Sequence, residues 1–203
     1  MPSILLLGDS MIDNAAYVRP GEPDVPAQIR AALPDHDVIM RAVDGQVAAD
    51  VTAGLARDPL PSGAVVFMTA GGNDALMEIG ALGDPAEITF AQAMERLVDL
   101  REGFRSRYAP LLDRLSEAAA VMVGTVYNPR FTGDEAPLQR ASEGALSAFN
   151  DVITEEAGRR GYRVLEMRHV ISSAGDYANP IEPSAAGGAK IAAAVADWAK
   201  ALA

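Results

Sequence analysis

Residues 3–10 read SILLLGDS, a serine and an unbroken aliphatic run from Ile4 to Leu7, followed by a glycine, a carboxylate and a hydroxyl. An aliphatic run this short, without polar alternation, marks a strand buried on both faces, as in a parallel sheet covered by helices on each side. Four similar runs follow: DVIMRA (37–42), AVVFMT (64–69), AVMVGT (120–125) and YRVLEM (162–167). Between them apolar residues return every three or four positions, the period of an amphipathic helix. Val25, Ile29 and Leu33 form one stripe, and Val47, Val51 and Leu55 a second. The longest runs from Phe90 through Met94, Leu97, Val98, Tyr108, Leu111 and Leu112 to Leu115, with Pro110 expected to kink or divide it. Leu146, Phe149, Val152 and Ile153 make a fourth, and Ile191, Val195, Trp198 and Leu202 the last. All are read as core. The alternation predicts an α/β fold, a three-layer α/β/α sandwich on a five-stranded parallel sheet with right-handed crossovers.

A chain of 203 residues suits one domain spanning 1–203. Its net charge of −11 opposes the phosphate attraction that drives nucleic-acid binding, so no nucleic-acid partner is expected. It has no cysteine, which removes disulfides, thiolate chemistry and cysteine-ligated zinc and suits a reducing compartment. The first apolar run is too short for a signal-peptide core or a membrane span, and the expected location is the cytoplasm. No His/Asp/Glu cluster has metal-ligand spacing, and neither GxxxxGK nor GxGxxG follows the first strand, which weakens a nucleotide-binding reading. No cofactor is expected.

In such a sheet the ligand crevice lies beyond the carboxyl ends of the strands, so the loops after each strand carry the chemistry. The first is Gly8-Asp9-Ser10, the second contains Gly45 within AVDGQ, and the third is TAGGNDAL, with Asn73 and Asp74. Each alone reads as a turn, and Asp74 is placed to cap the helical segment after it. Together they bring a hydroxyl, a glycine N–H and an amide to one sheet edge, a nucleophile with donors for a developing oxyanion. TVYNPRF (125–131) follows the fourth strand, and Tyr127, Asn128 and Arg130 are candidates for the substrate side. The stretch GALGDPAEIT (80–89) reads as a flap or as a linker.

In order, GDS, a glycine and GGND (71–74) resemble the blocks of the SGNH (GDSL-type) hydrolase superfamily, and PSAAGGAKIA resembles the segment after its fourth block. The resemblance implies a flavodoxin-like fold and a serine esterase or acylhydrolase acting on a small-molecule ester. Ser10 would be the nucleophile, and its own N–H, the Gly45 N–H and the Asn73 side chain would form the oxyanion hole. The fourth block departs from the family: where Asp and His belong, this chain has Asn179 and Glu182. Either Glu182 is the base, with an amide at Asn179 able to donate to it, or His169 after the fifth strand reaches Ser10. His36 precedes the second strand, on the wrong sheet edge. The structural alternative for Glu182 is stabilisation of the helix toward Trp198, with Pro183 in its first turn and Ser184 an equally good cap. The functional alternative is a catalytically silent relative that binds an acylated or glycosylated ligand.

Overall fold

The computed structural model describes residues 3–78 and 88–202. Residues 80–87 of the expected flap or linker lie outside that range. The five aliphatic runs form strands β1 (Ser3–Leu7), β2 (Asp37–Met40), β3 (Val65–Thr69), β4 (Ala120–Gly124) and β5 (Arg163–Leu165). All pair in parallel in the order β2-β1-β3-β4-β5. Ile4, Leu5, Leu6, Val66, Phe67 and Val123 are wholly buried, as strands covered on both faces must be.

The helices are α1 (Val25–Ala32), α2 (Ala48–Arg57), α3 (Gly72–Met77), α4 (Phe90–Asp113), α5 (Gln139–Arg159), α6 (Met167–Val170) and α7 (Ala185–Lys200). Helix α1 packs on α7, while α2 and α5 pack on α4, and the two sets cover the two faces of the sheet. Strand order reverses direction between β1 and β3. That switch point opens a crevice beyond the strand ends, and the loops carrying Ser10 and Asn73 meet there.

Two glycines make the meeting close. Gly8 has φ +125°, and a Cβ on it would lie 1.7 Å from the Thr69 carbonyl oxygen at the end of β3. Gly71 has φ +119° at the N-cap of α3, and a Cβ there would press on the Phe104 ring at 2.9 Å. Both positions demand the backbone freedom that only glycine has.

Two expectations fail in α4. Pro110 does not divide the helix, which continues through it to Asp113. Its first half is also not core: Phe90, Met94 and Val98 are 79%, 41% and 54% exposed. A 24-residue helix is about 36 Å long, whereas a five-residue strand spans about 17 Å. The helix overruns the sheet, and only Phe104, Tyr108, Leu111 and Leu112 find a core to enter.

Candidate active site

Ser10 lies three residues past β1 in a tight turn, where the Ile12 and Asp13 N–H groups both donate to the Asp9 carbonyl at 3.0 and 2.9 Å. The Asp9 side chain turns inward and accepts from the Thr69 hydroxyl at 2.9 Å and the Met11 N–H at 3.2 Å. It therefore clamps the serine loop to the end of β3. Burial pushes Asp9 up to about 6, against those two hydrogen bonds and with a further push from Asp74.

The loop after β3 brings Asn73 to the same edge. Its side-chain amide donates to the Gln46 carbonyl at 3.0 Å, tying it to the loop that holds Gly45. Gly45 itself has φ +83°, which lets the turn close before α2. Asp74 does not cap its own helix, because Gly71 occupies that position. Its carboxylate instead accepts from the Ala48 N–H at 2.9 Å, capping α2, and from Arg107 of α4 at 3.2 Å.

The third component arrives from residues 178–184. The Ser10 hydroxyl donates to Glu182 Oε1 at 3.0 Å. Glu182 is 6% exposed, and its second oxygen, Oε2, is buried with no hydrogen-bond partner. Burial pushes this carboxyl up to about 7; the Ser10 hydrogen bond opposes the shift, and the charges of Asp44 and Asp9 add to it. A buried acid with one unsatisfied oxygen is costly, so the surrounding fold must impose its position.

That imposition is visible in the backbone. The carbonyl of Pro180 accepts from the Arg130 N–H at 2.7 Å, that of Ile181 from the Tyr127 hydroxyl at 2.6 Å, and that of Glu182 from the Ala178 N–H at 2.9 Å. The Pro183 carbonyl accepts from the Asn14 amide at 3.1 Å. Four consecutive carbonyls are thus held by four donors from three places in the chain. Asn179 does not donate to the Glu182 carboxylate: its Oδ1 accepts from the N–H groups of Ile181 and Glu182, both at 2.9 Å. A short amide folding back on the following backbone is an Asx turn. Helix α7 starts at Ala185 with Ser184 as N-cap, accepting from the Gly187 N–H at 3.2 Å, so Pro183 precedes the helix and Glu182 is not needed as its cap.

Ser10, Asn73 and Glu182 all line one pocket that continues into an apolar chamber walled by Leu76, Leu100, Val126, Phe131, Leu146 and Phe149. Gly45 does not line it, although its neighbour Gln46 holds Asn73. Tyr127 lines it too, and burial keeps its phenol well above the ordinary range, hence a donor. Asn128 and Arg130 face a separate polar recess with Arg168 and Tyr177. His169 is exposed on α6 and outside the pocket, and Glu182 occupies the Ser10 hydroxyl. His36 is half-buried before β2.

The fully buried Asn14 escaped the sequence reading. It also accepts from the Val25 N–H at 2.8 Å, linking the start of α1 to the Glu182 loop. An asparagine in a polar loop carries no signal of a contact 169 residues away. Among the described residues, no group of three or more His, Asp or Glu side chains is placed to hold a metal, and no helix is long and apolar enough to cross a membrane.

Residues 6–190 match the model of the GDSL-like lipase/acylhydrolase family. Comparison with curated proteins by sequence finds no match. Among solved structures, an extracellular lipase from Streptomyces rimosus superposes with a TM-score of 0.71 at 20% identity, covering 97% of this chain and 100% of that one. The acetylxylan esterase Axe2 from Geobacillus stearothermophilus gives 0.66 at 15% identity, over 96% and 92% of the two chains. A lipase/acylhydrolase from Enterococcus faecalis gives 0.64 at 19% identity, over 99% and 96%.

Proposed function

The chain belongs to the GDSL-like lipase/acylhydrolase family, and we propose that it is a serine esterase in which Glu182 replaces histidine as the base. The observation that carries this reading is the 3.0 Å hydrogen bond from the Ser10 hydroxyl to Glu182 Oε1. A base must lie within hydrogen-bond reach of the proton it removes and titrate near the working pH, and burial brings this carboxyl to about 7.

In the proposed reaction Ser10 Oγ attacks the ester carbonyl carbon while its proton passes to Glu182. The carbonyl oxygen becomes an oxyanion, received by the Ser10 N–H and the Asn73 amide, while the Gly45 loop acts through Gln46, whose carbonyl holds that amide. Each such donor supplies about 2.7 to 4 kcal/mol of transition-state stabilisation. Collapse breaks the bond to the alcohol, which leaves with the proton from Glu182, and the acyl group stays on Ser10. Water then attacks the acyl-enzyme, gives its proton to Glu182 and releases the acid, with the proton returning to Ser10 Oγ. Asp9 takes no proton in this cycle; it fixes the serine loop and, as a nearby charge, helps keep Glu182 basic.

The substrate is a small-molecule ester whose acyl group lies in the apolar chamber, and the absence of cysteine suits a cytoplasmic setting. A fluorophosphonate probe tests the reading. It should label the wild type at Ser10, and Ser10→Ala should lose both labelling and turnover of 4-nitrophenyl esters. A folded wild type that neither labels nor hydrolyses any ester of a broad panel supports the silent, ligand-binding alternative instead.

A further inference from the structure

Four side-chain atoms among the described residues are buried without a hydrogen-bond partner, and two belong to residues lining the pocket: Glu182 Oε2 and Ser142 Oγ. The first is explained by the base role. The second is not.

Ser142 lies in the first turn of α5 and is 5% exposed. A hydroxyl inside a helix ordinarily bonds back to a carbonyl of the preceding turn. Other helical hydroxyls of this chain do so: Thr52 to Ala48 at 2.9 Å, Ser147 to Glu143 at 2.9 Å and Ser106 to Gly103 at 2.7 Å. Ser142 makes no such bond, although alanine or leucine would complete the apolar wall without the cost of a buried, unsatisfied hydroxyl.

Its place along α5 is informative. Ser142, Ala145, Leu146 and Phe149 form one stripe that lines the pocket. Asn150, next to Phe149, holds both the N–H and the carbonyl of Val126 at 2.7 and 2.8 Å. Val126 in turn adjoins Gly72, which packs beside Asp9 and Met11. The Phe149 end of the stripe therefore lies at the level of the serine loop. Ser142 is two helical turns, about 10 Å, further out. At that distance its hydroxyl cannot serve the reacting carbonyl.

We propose that Ser142 is a specificity residue that hydrogen-bonds an oxygen function, a hydroxyl or carbonyl, carried near the far end of the substrate's acyl chain. The inference rests on the esterase reading above for the word acyl, but the binding claim stands on the pocket alone. The preferred substrates are esters of distally oxygenated medium-chain acids, and their plain counterparts are poorer because they leave the buried hydroxyl unpaired.

The test uses 4-nitrophenyl hexanoate and octanoate beside their chain-terminal hydroxyl analogues, with wild type and Ser142→Ala, a substitution small enough to leave α5 intact. The wild type should favour at least one hydroxylated ester in kcat/KM, and the variant should lower that hydroxylated-to-plain ratio by about tenfold, the worth of one neutral hydrogen bond in a dry site. A wild type that prefers the plain ester at both lengths, or a ratio unchanged in the variant, overturns the proposal. Calorimetric binding of the corresponding free acids to Ser10→Ala, and to the same protein also carrying Ser142→Ala, gives the same comparison without turnover. Plain esters hydrolysed with no Ser142-dependent preference count against this inference alone. Hydroxyacid selectivity without turnover counts against the esterase reading alone.

Discussion

The central residue is an acid held where water cannot help it. A glutamic carboxyl ordinarily near 4.5 stands at about 7 beside Ser10, because burial disfavours its charged form and Asp44 and Asp9 oppose a further negative charge. The shift has a stability consequence of definite sign. Between pH 4.5 and about 7 the unfolded chain has lost this proton and the folded protein keeps it, so folding stability falls as pH rises through that window and levels off above it. Glu182→Gln removes the dependence. The difference in unfolding free energy between the variant and the wild type should therefore move by on the order of 2 to 3 kcal/mol in the variant's favour between pH 4.5 and pH 8. Denaturant melts at the two pH values measure it, and parallel stabilities would show that the folded and unfolded carboxyls titrate alike. The approach of Glu182 to Ser10 was legible in the sequence, because the blocks that resemble the family's frame it. The role of Asn179 was not, since sequence order cannot tell whether an amide will donate to a side chain or accept from its own backbone.

At the scale of elements, Glu182, the proposed base, is positioned by a loop that has no regular structure of its own. The segment 180–183 is held by carbonyl contacts to the β4–α5 loop through Arg130 and Tyr127, to its own turn through Ala178, and to the β1–α1 loop through Asn14. Tyr127→Phe removes the donor to Ile181 while keeping the ring that packs edge-on against Tyr177 at 5.7 Å. With that tether gone the loop admits water, so the Glu182 carboxyl should fall from about 7 toward its ordinary value and be a weaker base. We expect kcat to drop about tenfold with KM little changed, and the acidic limb of the rate profile to move to lower pH. A variant that loses only thermal stability, with its limb unmoved, would assign Tyr127 to packing alone. The strands themselves were legible to within two residues at either end, with the larger errors at the carboxyl ends. Ala42 and Thr125 are buried and extend the aliphatic runs yet belong to loops, and the buried Met167 already opens α6, because in this fold the chain stays covered after it leaves the sheet. Helix α4 misled for the opposite reason: its stripe continues past the end of the sheet it was supposed to cover.

At the scale of the molecule, the site exists because the strand order reverses between β1 and β3 and the two strand ends touch. Gly8 is the contact, at a backbone angle that side chains rarely adopt and with the Thr69 carbonyl where a Cβ would go. Gly8→Ala forces the strand ends apart and should cost about 3 kcal/mol or more, beyond the usual range for a single methyl, with activity lost in whatever fraction still folds. A chemical melt beside an activity assay checks both, and a variant of wild-type stability would mean that β1 and β3 can separate freely. That junction positions Ser10, the proposed nucleophile, but the architecture as a whole positions Glu182, the proposed base. Three strand-end loops and the turn before α7 converge so that Ser10 finds a carboxylate in place of an imidazole. The most direct test is kcat/KM against pH for the wild type, Glu182→Gln and His169→Ala. The account predicts an acidic limb with a midpoint near 7 in the wild type and in His169→Ala, and a residual rate at least about a hundredfold lower, without that limb, in Glu182→Gln. A limb that survives in Glu182→Gln or disappears in His169→Ala would contradict it.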